Sequence, residues 1–274
     1  MAKVVIWALF DSGNGCYKQA VKQYFEERFE IYSVGIDIEN KNSDFISLNL
    51  ANNGELFGDD SLFERLDELP KPKIILASPP CESWSNATNT RDGSIYWKRP
   101  LVRNLFGESR TDDFALVTKK EFYKKTLNWV SSPNYTRVIF SRVNGELCAL
   151  NTMRIIKRYH PKIFVIENPA TSKLWRYYRE VLNFNAKKNV VCYNDYDPHF
   201  SQKPTCFYSN IDLNLKVPQY RKGDYTIGGS KKARERHQTL ISGYNKRSNI
   251  PLLLIKDILE NCLAELARLE TRKK

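Results

Sequence analysis

The sequence has no hydrophobic run long enough to cross a membrane. Its longest apolar stretches, Val4 to Phe10 and Ile250 to Ile255, fall far short of the roughly 20 residues that a bilayer-spanning helix needs. The N-terminal run leads directly into Asp11-Ser12-Gly13-Asn14-Gly15 without a small-residue cleavage site, so we interpret it as a strand and a turn. We therefore expect no membrane partner and a cytoplasmic location.

The sequence also lacks any C-x-x-C pair. Its six cysteines lie far apart, at Cys16, Cys81, Cys148, Cys192, Cys206 and Cys262. This spacing argues against a zinc site and against a disulfide framework. We therefore expect no metal and predict that five of the six thiols lie in the core.

No internal repeat is present, and the composition is that of a globular protein. Hydrophobic residues make up 42% of the 274 residues and charged residues 27%. With about 150 residues per domain, the length predicts a single domain over residues 1–274, with at most a small appendage. The net charge of +12 favours a polyanionic partner, either nucleic acid or an acidic membrane surface.

Along most of the chain, short apolar runs typical of strands alternate with segments whose apolar residues have helical spacing. This alternation predicts a mostly parallel, doubly wound sheet. The predicted strands are residues 3–10, 31–36, 73–77, 163–166, 189–193 and 206–208, and the last two can pair as a hairpin. The predicted helices are residues 16–29, 60–69, 147–158 and 173–182, with a last helix that Ser248-Asn249 caps and that has Pro251 in its first turn.

Two stretches do not fit this alternation. Residues 96–142 interleave basic residues with aromatic ones, and residues 216–247 are rich in glycine and strongly basic. We interpret both as insertions carried by the sheet, the alternative being a solvated basic surface.

Two of the predicted strands end in residues suited to a nucleotide cofactor. Phe10-Asp11-Ser12-Gly13-Asn14-Gly15 combines small residues with a following helix N-terminus, and Asp37 can accept hydrogen bonds from ribose hydroxyls. Each has a plainer interpretation. The first is also compatible with an ordinary tight turn, and Asp37 with a solvated turn aspartate.

Two further strand ends carry groups that can do chemistry. Ser78-Pro79-Pro80-Cys81 presents a cysteine after a proline-stiffened turn, whereas most buried cysteines are inert. Glu167 ends a wholly apolar strand, where desolvation favours the protonated acid, although a glutamate there can also cap the next helix. Because both residues follow strands of one sheet, we predict that they act together.

The order F-x-x-G-x-G, G-I-D, S-P-P-C, E-N-P and then Gln202-Lys203-Pro204-Thr205 resembles the C5-cytosine DNA methyltransferases, in particular compact members common in phages. The likeness spans residues 3–85 and 147–265. It implies a Rossmann-like methyltransferase fold that uses S-adenosylmethionine and releases S-adenosylhomocysteine. Its implied substrate is double-stranded DNA. A cognate restriction enzyme is one further partner that the resemblance allows.

The resemblance also assigns roles to individual residues. The implied catalytic residues are Cys81, Glu167 and Asn168, and the implied cofactor contacts are Phe10, Ser12, Gly13, Asn14, Gly15, Asp37, Asn49 and Pro79. The implied DNA contacts are Ser85, Arg91, Lys203, Thr205, Lys231, Lys232, Arg234 and Arg236. Cys81 would add to C6 of cytosine, and Glu167 would act as a neutral acid at N3 while C5 takes the methyl group.

The sequence departs from the family pattern in four places. Ser12 stands where the glycine loop usually has its first glycine, or the loop is one residue longer. Asn49 replaces the usual acidic residue near the adenine amino group, and its carbonyl oxygen can accept the same bond. The arginine-bearing Q-x-R-x-R segment is missing, and so is the long target-recognition domain. With that domain missing, residues 96–142 and 216–247 are the candidate DNA-recognition insertions. An RNA cytosine-5 methyltransferase and a catalytically idle nucleic-acid-binding protein therefore remain as alternatives.

Overall fold

The computed structural model describes residues 2–11, 15–36, 45–85, 89–90, 93–98, 101–105, 107–110, 114–127, 134–227, 235–241 and 247–272. Within these ranges the dominant feature is one sheet of seven strands. The strands are β1 (Val4–Leu9), β2 (Phe29–Gly35), β3 (Phe45–Ser47), β4 (Ile74–Ala77), β5 (Ile163–Pro169), β6 (Lys187–Cys192) and β7 (Pro204–Ser209). In space they follow the order β6-β7-β5-β4-β1-β2-β3.

The first five strands of the sheet run parallel, and β7 pairs antiparallel with both β5 and β6. Strand order therefore reverses between β1 and β4, since the chain proceeds from β1 outward to β3 and then returns to β4 on the other side. Ligands of doubly wound sheets bind at the carboxyl edge of such a reversal. The β6 and β7 pairing confirms the predicted terminal hairpin.

Helices cover both faces of the sheet. They are α1 (Cys16–Tyr24), α2 (Ser61–Asp67), α3 (Lys119–Thr126), α4 (Tyr135–Tyr159), α5 (Leu174–Arg176) and α6 (Leu252–Thr271). One core cluster packs α1 and α6 against the sheet, and the other packs α2 and α4 against the opposite face. Because both faces are covered, the central strands are apolar throughout. This arrangement confirms the predicted Rossmann-like α/β fold.

Smaller elements complete the described chain. Short 3-10 helices span Gly54–Phe57 and Tyr193–Asp195, and a π-helical turn spans Tyr177–Val181. Four short strands form a second sheet, namely Asn89–Thr90, Gly93–Ser94, Trp97–Lys98 and Ala115–Leu116. Leu101–Asn104 pairs with Gly107–Arg110, and Tyr225–Thr226 pairs with Thr239–Leu240. Among the described residues no helix is both long and apolar enough to span a bilayer.

Several predicted boundaries are wrong. The helix α4 begins at Tyr135 and not near residue 147, so the last part of stretch 96–142 belongs to the main fold. Asn134 caps this helix through Thr136 N, and Val138 is already buried in the core. The helix α1 ends at Tyr24, and Phe29 belongs to β2. Basic residues along the first turns of α4 hide the apolar spacing that defines its start.

Two further differences between the predicted and the observed helices concern the second half of the chain. The predicted helix over residues 173–182 is a single α-helical turn followed by the π-helical turn Tyr177–Val181. At the last helix Pro251 occupies the cap position and the helix begins at Leu252, so Ser248-Asn249 does not cap it. The predicted apolar face of this helix is confirmed, because Ile255, Ile258, Leu259, Cys262 and Leu266 are all buried.

Candidate active site

A pocket opens at the carboxyl edge of the sheet, where the strand order reverses. Its lining comes from the ends of β1, β4 and β5, from the start of α1, from the residue before β7 and from the segment before α6. The lining residues are Phe10, Asp11, Gly15, Cys16, Tyr17, Ser78, Pro79, Pro80, Cys81, Glu167, Pro169, Lys203, Ser248, Asn249 and Ile250. One cavity thus joins the predicted cofactor turn to the predicted catalytic pair.

The chain leaves β1 through a strained turn. Phe10 has a positive φ of 61°, a region that non-glycine residues rarely adopt. Asp11 is buried and accepts a hydrogen bond of 2.9 Å from the Ser33 hydroxyl. A side chain at Gly35 would place its Cβ 2.7 Å from the Asp11 carbonyl oxygen, so the close crossing of these two strand ends requires glycine. The backbone of this turn is therefore held firmly against β2.

The N-terminus of α1 faces the same pocket. Its cap residue, Gly15, makes no side-chain cap hydrogen bond, and no acidic residue lies in the first turn. Such a helix start offers backbone N–H groups and a positive dipole end to a ligand. Burial, with a further contribution from Asp11, raises the pKa of the Cys16 thiol to about 12, so this cysteine is not a nucleophile.

The turn after β4 is fixed from three sides. Ser78 N donates to Leu9 O at 3.1 Å, the Tyr17 hydroxyl and the Ser78 hydroxyl are 2.8 Å apart, and Asn168 Nδ2 donates to Pro79 O at 2.9 Å. Beyond the turn, Ser85 N donates a hydrogen bond to Cys81 O at 2.8 Å. The two prolines and these hydrogen bonds hold Cys81 at the rim of the pocket.

Cys81 is exposed, whereas Cys148, Cys192, Cys206 and Cys262 are buried. Even so, the surrounding protein desolvates its thiol, and this effect together with the negative charge of Glu167 raises the thiol pKa above its usual 9.0. Lys203 acts in the opposite direction and lowers it. The four buried cysteines match the predicted core thiols, while Cys16 is only partly buried.

Glu167 lies two residues before the end of β5, with 8% of its surface exposed. Its Oε1 accepts a hydrogen bond of 3.0 Å from the Tyr193 hydroxyl and lies 3.8 Å from Lys203 Nζ. The Lys203 ammonium also sits 4.8 Å from the centre of the Tyr193 ring. The sequence argument for a neutral acid rested on burial alone. The structure adds an ammonium and a phenol beside the same carboxyl oxygen.

Three other predicted site residues are buried and do not line the pocket. Asn168 is fully buried on the face opposite Glu167 and holds the Pro79 carbonyl. Thr205 is also fully buried and donates to Lys203 O at 3.1 Å, so its side chain is not accessible to a bound nucleic acid. Ser85 is buried as well. The surrounding protein covers both hydroxyls in this structure, and their assignment as DNA contacts stays a prediction.

Asn49 is exposed just after β3 and does not line the pocket. Its side-chain carbonyl already accepts a hydrogen bond of 3.0 Å from Ala51 N. Arg236 is exposed near the second short strand pair. The other predicted residues lie outside the described part of the chain, namely Ser12, Gly13, Asn14, Asp37, Arg91, Lys231, Lys232 and Arg234.

An aromatic cluster connects the turn after β4 to the basic stretch 96–142. Trp84 stacks on Trp97 with ring centres 5.4 Å apart and lies 4.8 Å from Tyr177. Trp97 Nε1 donates to Ser83 O at 3.1 Å, and Phe114 packs edge-on against Trp97. The insertion is therefore anchored two residues beyond Cys81.

Sequence reasoning missed Tyr17, Tyr193, Asp11 and the segment Ser248-Asn249-Ile250 as parts of the site. Tyr17 looked like one of several apolar positions on α1, and Tyr193 looked like the end of a strand. Only Asp11 carried a signal, since it lies inside the turn already singled out. The groups that no sequence pattern marked come from elements distant along the chain.

Comparison with known proteins gives similarity to solved structures at low sequence identity. No protein-family model matches the chain, and no curated protein matches it. A solved methyltransferase structure from Entamoeba histolytica, EhMeth, superposes with a TM-score of 0.43 at 12% identity, covering 85% of this chain. This chain spans 62% of the length of that structure. Within the described residues no group of three or more His, Cys, Asp and Glu side chains is arranged to hold a metal ion.

Proposed function

We propose that the chain is an S-adenosylmethionine-dependent DNA cytosine-5 methyltransferase that acts on a flipped base. The observation that carries this proposal is that the Cys81 thiol and the Glu167 carboxyl line one pocket at the switch point of the sheet, with Lys203 beside both. The order of sequence motifs supports it independently. A flipped base is required because the target carbon is inaccessible inside the duplex.

The pair suits the chemical difficulty of the reaction. C5 of cytosine is too weak a nucleophile to take a methyl group directly, so an addition at C6 must come first. Cys81 forms the new bond between Sγ and C6, and electron density moves into the ring toward N3. Glu167 donates a hydrogen bond or its proton at N3 and so stabilises that charge.

Lys203 contributes in two ways. Its positive charge favours the thiolate form of Cys81, which is the nucleophilic form. It also lies close enough to Glu167 to compensate the negative charge that the carboxyl acquires when its proton leaves. Solvent water is the base that we assign to the removal of the C5 proton, after which Sγ leaves C6.

The pocket has features that fit the methyl donor. The uncapped start of α1, the strained backbone at Phe10 and the glycine-dependent crossing at Gly35 create a backbone-lined approach next to Cys81. Phe10, Gly15 and Pro79 are the described residues that would hold S-adenosylmethionine. When bound, this cofactor supplies an electrophilic methyl group on a sulfonium.

Bisulfite sequencing of host DNA after expression of the protein tests the reaction, the base and the sequence context in one measurement. We expect unconverted cytosines in a defined context, and none after expression of the Cys81→Ala variant. Purified protein is assayed in parallel on DNA and on RNA of the same sequence. Methyl transfer to RNA alone would replace the proposal by its RNA counterpart, and transfer to neither would favour an idle nucleic-acid-binding protein.

The order of events is tested with DNA that contains 5-fluorocytosine, since fluorine does not leave C5 as a proton does. We expect a gel-stable protein adduct in the presence of S-adenosylmethionine. The adduct should be absent in Cys81→Ala and should form much more slowly in Glu167→Gln, which removes the acidic proton and nearly keeps the shape. An adduct that survives Cys81→Ala means that another nucleophile acts, and methylation without any adduct means that the reaction differs.

A further inference from the structure

We infer that Tyr193 is a positioning residue that fixes which oxygen of Glu167 carries the transferable proton. The inference rests on the proposed function, because it concerns the acid of that reaction. Tyr193 comes from the 3-10 turn after β6, and its hydroxyl donates to Glu167 Oε1 at 3.0 Å. Lys203 Nζ lies 3.8 Å from that same oxygen. The two positively polarised groups thus converge on Oε1.

Two donors on one oxygen make the carboxyl asymmetric. Oε1 accepts the hydrogen bond from the Tyr193 hydroxyl and faces the Lys203 ammonium, so a proton placed on it would displace that hydrogen bond and meet a positive charge. When the carboxyl is protonated for the reaction, its proton therefore resides on Oε2. When Cys81 Sγ bonds to C6, that proton passes from Oε2 to N3 of the base, and Oε1 holds the remaining charge against Tyr193 and Lys203. Tyr193 keeps its own proton throughout.

The structure holds Tyr193 as a permanent donor. The residue is 1% exposed, and its ring packs against Phe200 on one side and the Lys203 ammonium on another. Burial and the charge of Glu167 raise the pKa of its hydroxyl well above the usual 10, so the phenol stays protonated at any working pH. Thr205 lies within hydrogen-bonding reach of the same hydroxyl and restricts its rotation.

Several other titratable groups face Glu167 and contribute to its pH response. They are Cys16 and Tyr17 from α1, Cys81 after β4, Lys203 before β7 and Cys206 within β7. The thiols and phenols among them stay neutral at neutral pH, because burial raises their pKa values. Lys203 is thus the charged neighbour among these groups, and Tyr193 is the one that donates a hydrogen bond to Glu167.

The first test compares steady-state kinetics of Tyr193→Phe with those of the unaltered protein across a range of pH. We expect kcat to fall by about ten- to a hundredfold, with KM for DNA changed less than about twofold, since the lost bond acts on the acid and not on substrate binding. The alkaline limb of the kcat profile should move to higher pH, because the carboxylate loses a donor. A role in folding alone would leave that limb in place.

Tyr208→Phe is the matched control. Tyr208 is equally buried and donates to Phe184 O at 3.1 Å, but it lies on the opposite face of the sheet. We expect this variant to keep both kcat and the alkaline limb. If the unaltered protein is active and Tyr193→Phe has the same kinetics, the inference is overturned and the proposed function stands.

A second test does not depend on activity. The unaltered protein and Tyr193→Phe are labelled with 13C at glutamate Cδ and titrated by NMR, with Glu167→Gln identifying the resonance of Glu167. We expect its titration to move to higher pH in Tyr193→Phe and to stay in place in Tyr208→Phe. An identical titration in Tyr193→Phe would overturn the inference whatever the enzyme assay shows. A shifted titration in a protein that methylates nothing would contradict only the proposed function.

Discussion

At the scale of single residues, the reactivity of Cys81 depends on two charges of opposite sign. Desolvation raises the pKa of its thiol, Glu167 raises it further, and Lys203 lowers it. The thiolate fraction at neutral pH is therefore small in the free protein. It increases when the lysine comes closer.

This balance predicts the alkylation rate of Cys81 by iodoacetamide, measured by mass spectrometry between pH 7 and 10. The rate should rise with pH through and beyond the usual thiol value of 9.0. Because a raised pKa leaves less thiolate at a given pH, Lys203→Met should slow the reaction at pH 8 by about three- to tenfold. Glu167→Gln should accelerate it by a similar factor, since it removes a negative charge.

Lys216→Met is the control, because the Lys216 ammonium contacts the Tyr196 ring and does not influence the Cys81 thiol. Its alkylation rate should match that of the unaltered protein. Changes of the same sign in the Lys203 and Glu167 variants would show that access, and not charge, sets the rate.

At the scale of elements, α4 determines how the turn after β4 is covered. Its 25 residues span about 37 Å, whereas the seven residues of β5 span about 23 Å. The helix ends just before β5 begins, so its first turns project past the carboxyl edge of the sheet, beside Cys81. Within α4, Gly145 lies against Ser83 and Trp84.

Gly145→Ala tests this contact. Alanine in a helix interior usually stabilises a protein by about 1 kcal/mol relative to glycine. Here the added Cβ would lie 2.2 Å from Ser83 Oγ and 3.0 Å from Trp84 Nε1. We expect the free energy of unfolding to fall by about 1–3 kcal/mol in a urea titration, with a loss of activity. Gly223→Ala, whose Cβ would have no neighbour closer than 3.5 Å, is the control. Stabilisation by Gly145→Ala would mean that α4 and the turn separate freely.

At the scale of the whole molecule, the net charge of +12 suits a partner that carries phosphates, such as DNA. Part of this charge lies on an exposed surface of α3. Lys119, Lys120 and Lys124 are exposed on α3. A 2.6 Å ion pair between Lys98 and Glu121 ties this helix to Trp97, which in turn bonds to the turn of Cys81. The basic residues named earlier in stretch 216–247 lie mostly outside the described residues.

Replacing the three α3 lysines by glutamine should lower the affinity for DNA. It should also reduce the magnitude of the slope of log affinity against log salt by about 2–3. Filter binding between 50 and 300 mM salt measures both. The control replaces Lys71, Lys157 and Lys162, which are exposed near the opposite edge of the sheet and change the net charge equally. Equal slopes for the two triple variants would mean that only net charge matters and that α3 has no specific role.

Patterns along the chain were sufficient to predict the sheet, its two covering layers and the strand ends that carry Cys81 and Glu167. Hydrophobic periodicity predicts buried strands and helices because burial on both faces demands apolar runs. It did not reveal the start of α4, where basic residues flank buried ones. Nor did it predict the π-helical turn after α5, in which the buried Tyr178 stacks on Tyr208 from a distant strand.

The sequence by itself determined the reactive groups, because a thiol after a proline-rich turn and a carboxyl after an apolar strand are local features. The tertiary structure decided their surroundings. Tyr193 and Lys203 reach Glu167 only because β7 returns antiparallel beside β5, and Tyr17 reaches Ser78 only because α1 packs over β4. Electrostatic effects depend on distance in space, and no spacing along the chain specifies that distance. Chain order alone therefore marked the proposed acid and the proposed nucleophile, and folding set the charges around them.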